Sequence, residues 1–188
     1  AALREPFARL VGVCAKSLAE RGVVIKWVDF HTDDCTLNMA DFEKHLSTRT
    51  RLVAIGGASN AVGTLNDLQT LTDLAHMAGA TVFVDAVHLA PHAPIDVQAL
   101  NCDLLACSVY KFYGPHLGVL WGKYDLLDRL SPYKVRPASN NPPDKFETGT
   151  QNHEGIAGAL AAVNYLASVG EKYGASFAAP YAQFSGRR

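Results

Sequence analysis

TVFVDAVHLAPHAPIDVQALNCDLLACSVYKFYGPHLGVLWG, residues 81–122, is the stretch whose reading decides the fold. It reads in order as strand, polar turn, short helix, strand, polar turn, strand. The runs TVFVD and DLLACS are nearly continuously apolar, as expected of strands covered on both faces of a parallel sheet. The first turn carries Asp85 and His88; the second carries Ser108, Tyr110 and Lys111. If the two strands lie parallel and adjacent, both turns meet at the carboxyl edge of one sheet, where open α/β sheets bind ligands. A carboxylate facing a lysine across that edge is either a plain ion pair or a pair of grips on one cofactor.

Outward from this stretch the chain alternates strands and helices. Residues 2–21 carry apolar positions at helical spacing and are closed by Gly22. VVIKWVDF (residues 23–30) is rich in β-branched residues and predicts a strand. Asn38 with Asp41 predicts a capped helix through Leu46, and RLVAI (residues 51–55) a second strand that runs into the small-residue loop GGASNAVG. Asn66 with Gln69 reads as a capping box for a helix through Met77, closed by Gly79. Beyond residue 122, residues 123–130 predict a short helix and residues 131–145 a loop rich in proline and asparagine. Residues 151–169 predict a helix of small and apolar residues. Such alternation implies βαβ units with helices on the sheet faces. The proline- and asparagine-rich loop is read as a surface excursion, leaving a single domain over residues 1–188.

Composition narrows the function classes. The chain has 188 residues, enough to bury a substantial core, and a formal net charge of -1. That balance gives no electrostatic reason to expect nucleic acid or an anionic membrane as partner. No apolar run approaches the ~20 residues needed to span a bilayer. AALREPFARL lacks the basic-then-apolar order of a signal peptide. Cys14, Cys35, Cys102 and Cys107 form no CxxC pair, which fits reduced thiols in a cytoplasmic protein.

Several residues could carry chemistry. Asp85 ends an apolar strand, where an ionised carboxylate needs a strong partner; it could hold a proton on a heterocyclic nitrogen, cap a helix or form an ion pair. Lys111 lies among Tyr110, Phe112 and Tyr113, and apolar crowding favours the neutral amine that attacks aldehydes. His88 and His92 could join Asp85 around a metal only on a regular helix, which Pro91 and Pro94 oppose. Ser108 and the GTQN segment (residues 149–152) offer hydroxyls and backbone N–H groups, with Thr150 just ahead of a helix start where phosphate binds readily. Ordinary capping would explain the same residues. GGASNAVG matches neither GxGxxG nor GxxxxGK[ST], so a dinucleotide or ATP site is poorly supported.

SNAVG at 59–63, VDAVHLAPHAPIDV at 84–97, SVYKFYGPHLGVLWG at 108–122 and ETGTQN at 147–152, taken in this order and spacing, resemble the pyridoxal-phosphate enzymes of the class V aminotransferase and cysteine desulfurase family. The resemblance implies the large domain of fold type I, a mostly parallel sheet with helices on both faces. It implies that Lys111 links to pyridoxal 5'-phosphate as a Schiff base and later shuttles protons. Asp85 resembles the carboxylate that keeps the pyridine nitrogen protonated. His88 stands where many relatives have glutamine, beside the phenolic oxygen, and Asn60 matches an asparagine near that hydroxyl and the substrate carboxylate. Ser108 resembles a phosphate ligand; Tyr110 takes a place where many relatives have histidine. Thr150 is similar to the threonine that reaches the phosphate of a neighbouring subunit, which implies a homodimer acting on an amino acid.

The resemblance also implies segments beyond this chain: a preceding glycine-rich phosphate loop, and a following small domain with a substrate-binding arginine and, in desulfurases, a mobile-loop cysteine. The chain is therefore expected to be the central part of such a domain, without the small domain. Cysteine desulfuration is the leading expectation. Another class V activity (transamination, epimerisation or β-elimination), a noncatalytic domain and a metal-dependent hydrolase on Asp85, His88 and His92 are the alternatives.

Overall fold

The computed structural model describes residues 17–147 and 149–173. Its sheet consists of β1 (Leu52–Gly56), β2 (Thr81–Asp85), β3 (Leu104–Ser108) and β4 (Gly118–Gly122), side by side in that order. β1 with β2 and β2 with β3 pair parallel, whereas β3 with β4 is antiparallel. The connections dictate this pattern, because parallel neighbours need a crossover and antiparallel ones do not. Between β1 and β2 runs α2 (Leu68–Met77), and between β2 and β3 the single turn α3 (Val97–Leu100). β3 and β4 are joined only by a 3-10 turn, Val109–Phe112, and a tight bend.

The core sits on one face of the sheet. Val53 and Ile55 of β1, Val82 and Val84 of β2 and Leu105 of β3 are in register and buried. Leu68, Leu71, Thr72 and Ala75 form the buried stripe of α2, at the spacing that puts them on one helix face. Phe42 from α1 (Met39–His45) completes this layer. The other face is covered unevenly. Leu127 of α4 (Tyr124–Arg129) packs beside Leu104 and Gly122, while Leu120 is 55% exposed.

Most sequence expectations hold, with instructive shifts. Asn38 caps α1 by accepting the Asp41 N–H at 3.0 Å. Residues 17–20 are helical and Gly22 follows at φ +81°; the earlier part of the expected first helix lies outside the described residues. The expected strand at residues 23–30 does not form. Only Phe30 pairs, in an isolated bridge with Leu37, and Val24 is 75% exposed. Its β-branched composition favours extended backbone, but no neighbouring strand among the described residues supplies a ladder.

The cap of α2 is Asp67, not Asn66. Asp67 accepts the Thr70 N–H at 3.1 Å and the Thr70 hydroxyl at 2.7 Å, and these bonds hold its carboxyl below the ordinary range. Asn66 is drawn away because its Nδ2 donates to the Gly56 carbonyl at 2.7 Å, and Gln69 donates to Asp73 instead of closing a box. The last helix, α5, spans His153–Tyr173, starting and ending later than its apolar pattern predicts. The proline- and asparagine-rich loop is tied back to the fold by Lys145, which is 4% exposed and donates to the Asp128 carbonyl at 2.7 Å. No helix among the described residues is long and apolar enough to cross a membrane.

Asp103 fastens the amino edge of the sheet, opposite the candidate site. Its carboxylate accepts from the Val82 N–H, from His76 of α2 and from Lys123 after β4, each at 2.8 Å. Burial alone would raise its pKa, but the bonds from Lys123, His76 and Val82 outweigh it and leave the carboxyl lowered. A lowered folded value means the unfolded chain binds the proton first as pH falls. The stabilisation is therefore complete above the unfolded value of about 3.9 and is lost as pH drops through the lower folded value. Asp103→Asn is expected to cost about 2 kcal/mol at neutral pH. Denaturant melts across pH should show the gap from wild type closing on the acid side; a constant gap would contradict this account.

Candidate active site

The site is built where β1, β2 and β3 end. Asp85 is paired with Gly56 on one side and Ala106 on the other. Partners in register share a sheet face, and side chains alternate along a strand. Asp85, Ala106 and Ser108 therefore lie on the same face, opposite the buried Val84 and Leu105. The backbone around Asp85 is pinned from both sides. Gly57 N–H donates to the Asp85 carbonyl at 2.8 Å, and Ala86 N–H to the Ala106 carbonyl at 2.8 Å.

Each strand feeds a short, internally bonded loop. After β1, residues 57–65 begin at a glycine whose missing side chain lets the backbone approach Leu89; a Cβ there would lie 2.8 Å from Leu89 Cδ2. The Ser59 hydroxyl accepts the N–H groups of Ala61 and Val62, each at 3.3 Å, and Asn60 stands exposed at the tip. After β2, Asp85 Oδ1 accepts the Val87 N–H at 2.9 Å, while Oδ2 takes no hydrogen bond from the described residues. The chain then winds through helical turns, with Ala90 N–H donating to the Ala86 carbonyl and Ala93 N–H to that of Leu89. These turns bring the His88 and His92 rings edge to face at 5.0 Å. His88 is half-buried and His92 exposed. Among the described residues no group of three histidine, cysteine or acidic side chains gathers to hold a metal, so the hydrolase alternative finds no ligand cluster.

After β3, Ser108 precedes the 3-10 turn, yet its hydroxyl makes no capping bond, which leaves it available to a ligand. Val109 is buried and its N–H donates to the Leu117 carbonyl at 2.8 Å; Gly114 N–H returns to the Val109 carbonyl at 3.0 Å. Gly114 sits so close to Val109 that a Cβ would collide with it, and Tyr113 takes a positive φ of 69° to make the bend. Lys111 is exposed on this turn. The expected apolar enclosure by its sequence neighbours is absent: Tyr113 is 78% exposed, and in so tight a turn consecutive side chains diverge. The Lys111 Nζ lies 5.3 Å from the centre of the Tyr110 ring.

α5 packs onto the same turn. Gly158 lies against Pro115, and the rings of Tyr113 and Tyr165 meet edge to face at 5.8 Å. Thr150 is exposed ahead of this helix, but the capping group is Asn152, whose Oδ1 accepts the Gly155 N–H at 2.9 Å. No hydrogen bond among the described residues joins Thr150 to the other candidates.

The fold thus brings Asp85 and Ser108, on strand ends, and Asn60, His88, Tyr110 and Lys111, on the segments that follow, to one carboxyl edge, and leaves Thr150 on a separate segment. Sequence reasoning missed His116, whose ring stacks on Tyr110 with centres 4.9 Å apart. The signal was its place across the Gly114-Pro115 bend. Two cysteines lie close to the sheet: Cys102 is fully buried and Cys107 lies within β3. Burial pushes both thiols up, with the Asp103 carboxylate adding to the effect at Cys102.

These residues can be set beside known proteins. The Aminotransferase class-V family matches residues 11–178. The chain is 39% identical over 163 residues to a cysteine desulfurase of Dickeya dadantii, covering 80% of this chain and 39% of that protein. It is 36% identical over 166 residues to a probable cysteine desulfurase of Streptomyces coelicolor, covering 81% of this chain and 40% of that one. Among solved structures, the apo cysteine desulfurase of Thermococcus onnurineus superposes with a TM-score of 0.75 at 28% identity, over 82% of this chain and 42% of that one. A cysteine desulfurase of Escherichia coli gives 0.68 at 32% identity, over 78% of this chain and 41% of that one. The chain spans about two fifths of the length of these relatives. Matched by the family over residues 11–178, most of its length, the chain belongs to the class V aminotransferases.

Proposed function

We propose that this chain is the central, cofactor-binding part of a pyridoxal 5'-phosphate enzyme acting on an amino acid, with cysteine desulfuration as its reaction. The observation that carries the reading is the β2–β3 register, which sets Asp85 and Ser108 on one face of adjacent strand ends with Lys111 one turn further on. The residues present fit the cofactor. Among the described residues, one Asp85 carboxylate oxygen takes no hydrogen bond, the Ser108 hydroxyl makes no capping bond, and Lys111 is exposed.

In this reading Lys111 is the catalytic residue: it carries the amine that holds the aldehyde and later moves a proton at the substrate α-carbon. Asp85 would hold a proton at the ring nitrogen, His88 would serve the phenolic oxygen, and Asn60 would serve that hydroxyl and the substrate carboxylate. Ser108 and Tyr110 would hold the phosphate. Thr150 serves the phosphate of a second copy, in a homodimer located in the cytoplasm. The bound cofactor supplies an electron sink for the substrate α-carbon. Neither Cys102 nor Cys107 suits the role of sulfur acceptor, given their raised thiols.

The test is direct. Protein incubated with pyridoxal phosphate should gain visible absorbance, and borohydride should fix the label on Lys111. L-cysteine with a thiol reductant should then yield alanine and sulfide in equal amounts. Pyruvate with sulfide and ammonia instead would indicate β-elimination, and a keto acid that retains the sulfur would indicate transamination. Labelled protein without turnover would indicate a noncatalytic domain.

A further inference from the structure

We propose that His116 is a positioning residue for Lys111, acting through the ring of Tyr110. The proposal rests on the reading of Lys111 as the aldehyde-binding amine, and extends it to a residue to which the family resemblance assigned no role. The hydrogen bond from Val109 N–H to the Leu117 carbonyl closes the bend like the last rung of a hairpin. The residues just inside that rung, Tyr110 and His116, are thereby set face to face, and their rings stack 4.9 Å apart with planes inclined by 23°. The same Tyr110 ring has the Lys111 ammonium 5.3 Å from its centre, within the reach of a cation–π contact.

The geometry forms a chain of contacts: imidazole on phenol ring, phenol ring under amine. Tyr110 is half-exposed and no side-chain hydrogen bond among the described residues fixes it, so the stack is what restrains its rotamer. Lys111 is itself exposed and makes no side-chain hydrogen bond among the described residues. The Tyr110 ring is then the surface against which its flexible stem is ordered. The backbone beneath is held independently by buried Val109 and the close approach of Gly114. Removing the imidazole should accordingly free the tyrosine ring without unfolding the bend.

The step to be measured is attachment of the amine to an aldehyde, which forms one C=N bond, releases one water and oxidises neither partner. Attachment would be followed by visible absorbance, and the adduct reduced with borohydride and mapped by mass spectrometry. Two aldehydes are needed, pyridoxal phosphate and pyridoxal, so that effects on the amine are separated from effects on phosphate. His116→Ala should slow attachment of both by roughly three- to tenfold, the range expected for loss of one aromatic pair. His116→Phe, which keeps a stacking ring, should stay within about twofold of wild type. Tyr110→Leu should slow attachment similarly, and the double variant should be no slower than either single one, because both break the same chain.

An unchanged rate in His116→Ala overturns the proposal. So does slowing confined to pyridoxal phosphate, which would make His116 a phosphate ligand, or equal slowing in His116→Phe, which would assign the effect to the imidazole nitrogens. Thermal melts of each variant report folding separately. Lys111→Ala tests the underlying reading: if it labels as fast as wild type, both the reading and the proposal fall, whereas loss of label with an unaffected His116→Ala removes the proposal alone.

Discussion

Lys111→Ala is expected to lose all covalent attachment of pyridoxal phosphate, and with it at least about a thousandfold of any turnover, the scale for removing a group that transfers protons in the reaction. The prediction separates chemistry from folding. Lys111 is exposed on a turn whose backbone is held by Val109 and Gly114, so truncating its side chain removes little packing. Surface substitutions of that kind usually change stability by no more than about 0.5 kcal/mol. The melting midpoint should therefore stay near wild type while the borohydride adduct disappears. Lys111→Arg should fail equally, because a guanidinium keeps its charge and does not form the C=N bond. Attachment surviving in Lys111→Ala, mapped to Lys123, Lys134 or Lys145, would show that the aldehyde is held elsewhere. Lys123 and Lys145 are poor competitors, since each is engaged in hydrogen bonds that support the fold.

Much of this site was legible in residues 81–122 because two independent signals agreed there. Apolar strands marked the sheet, and polar residues at their ends marked its carboxyl edge, the side on which open α/β sheets bind ligands. The failures share a cause, which is that local pattern does not report distant partners. Residues 23–30 have strand composition, but a strand is stabilised by its neighbours, and only Phe30 finds one. Asn66 satisfies the local rule for a helix cap, yet its amide is more strongly claimed by the Gly56 carbonyl across the loop. Aromatic residues on both sides of Lys111 suggested enclosure, but a 3-10 turn sends successive side chains in different directions. His116 went unnoticed for the converse reason: its contact with Tyr110 exists only once the Val109–Leu117 hydrogen bond sets the register of the bend.

Asp85 offers the second large effect, and the choice of substitution matters. Its Oδ1 accepts the Val87 N–H and shapes the turn that follows β2, while Oδ2 takes no hydrogen bond from the described residues. Alanine removes both functions; asparagine keeps an acceptor for Val87 and discards only the charge. If Asp85 serves to hold a proton on the ring nitrogen, Asp85→Asn should leave the fold and the labelling of Lys111 nearly intact. It should still slow exchange of the substrate α-proton with deuterated solvent by about a hundredfold, the magnitude of removing one preorganised electrostatic partner. Asp85→Ala should show that chemical loss together with a stability cost of about 1 kcal/mol from the broken turn bond. The two variants thus divide the residue into a structural oxygen and a chemical one. Equal α-proton exchange in wild type and Asp85→Asn would reduce Asp85 to a turn-former, and the free oxygen at the end of β2 would then have no part in the reaction.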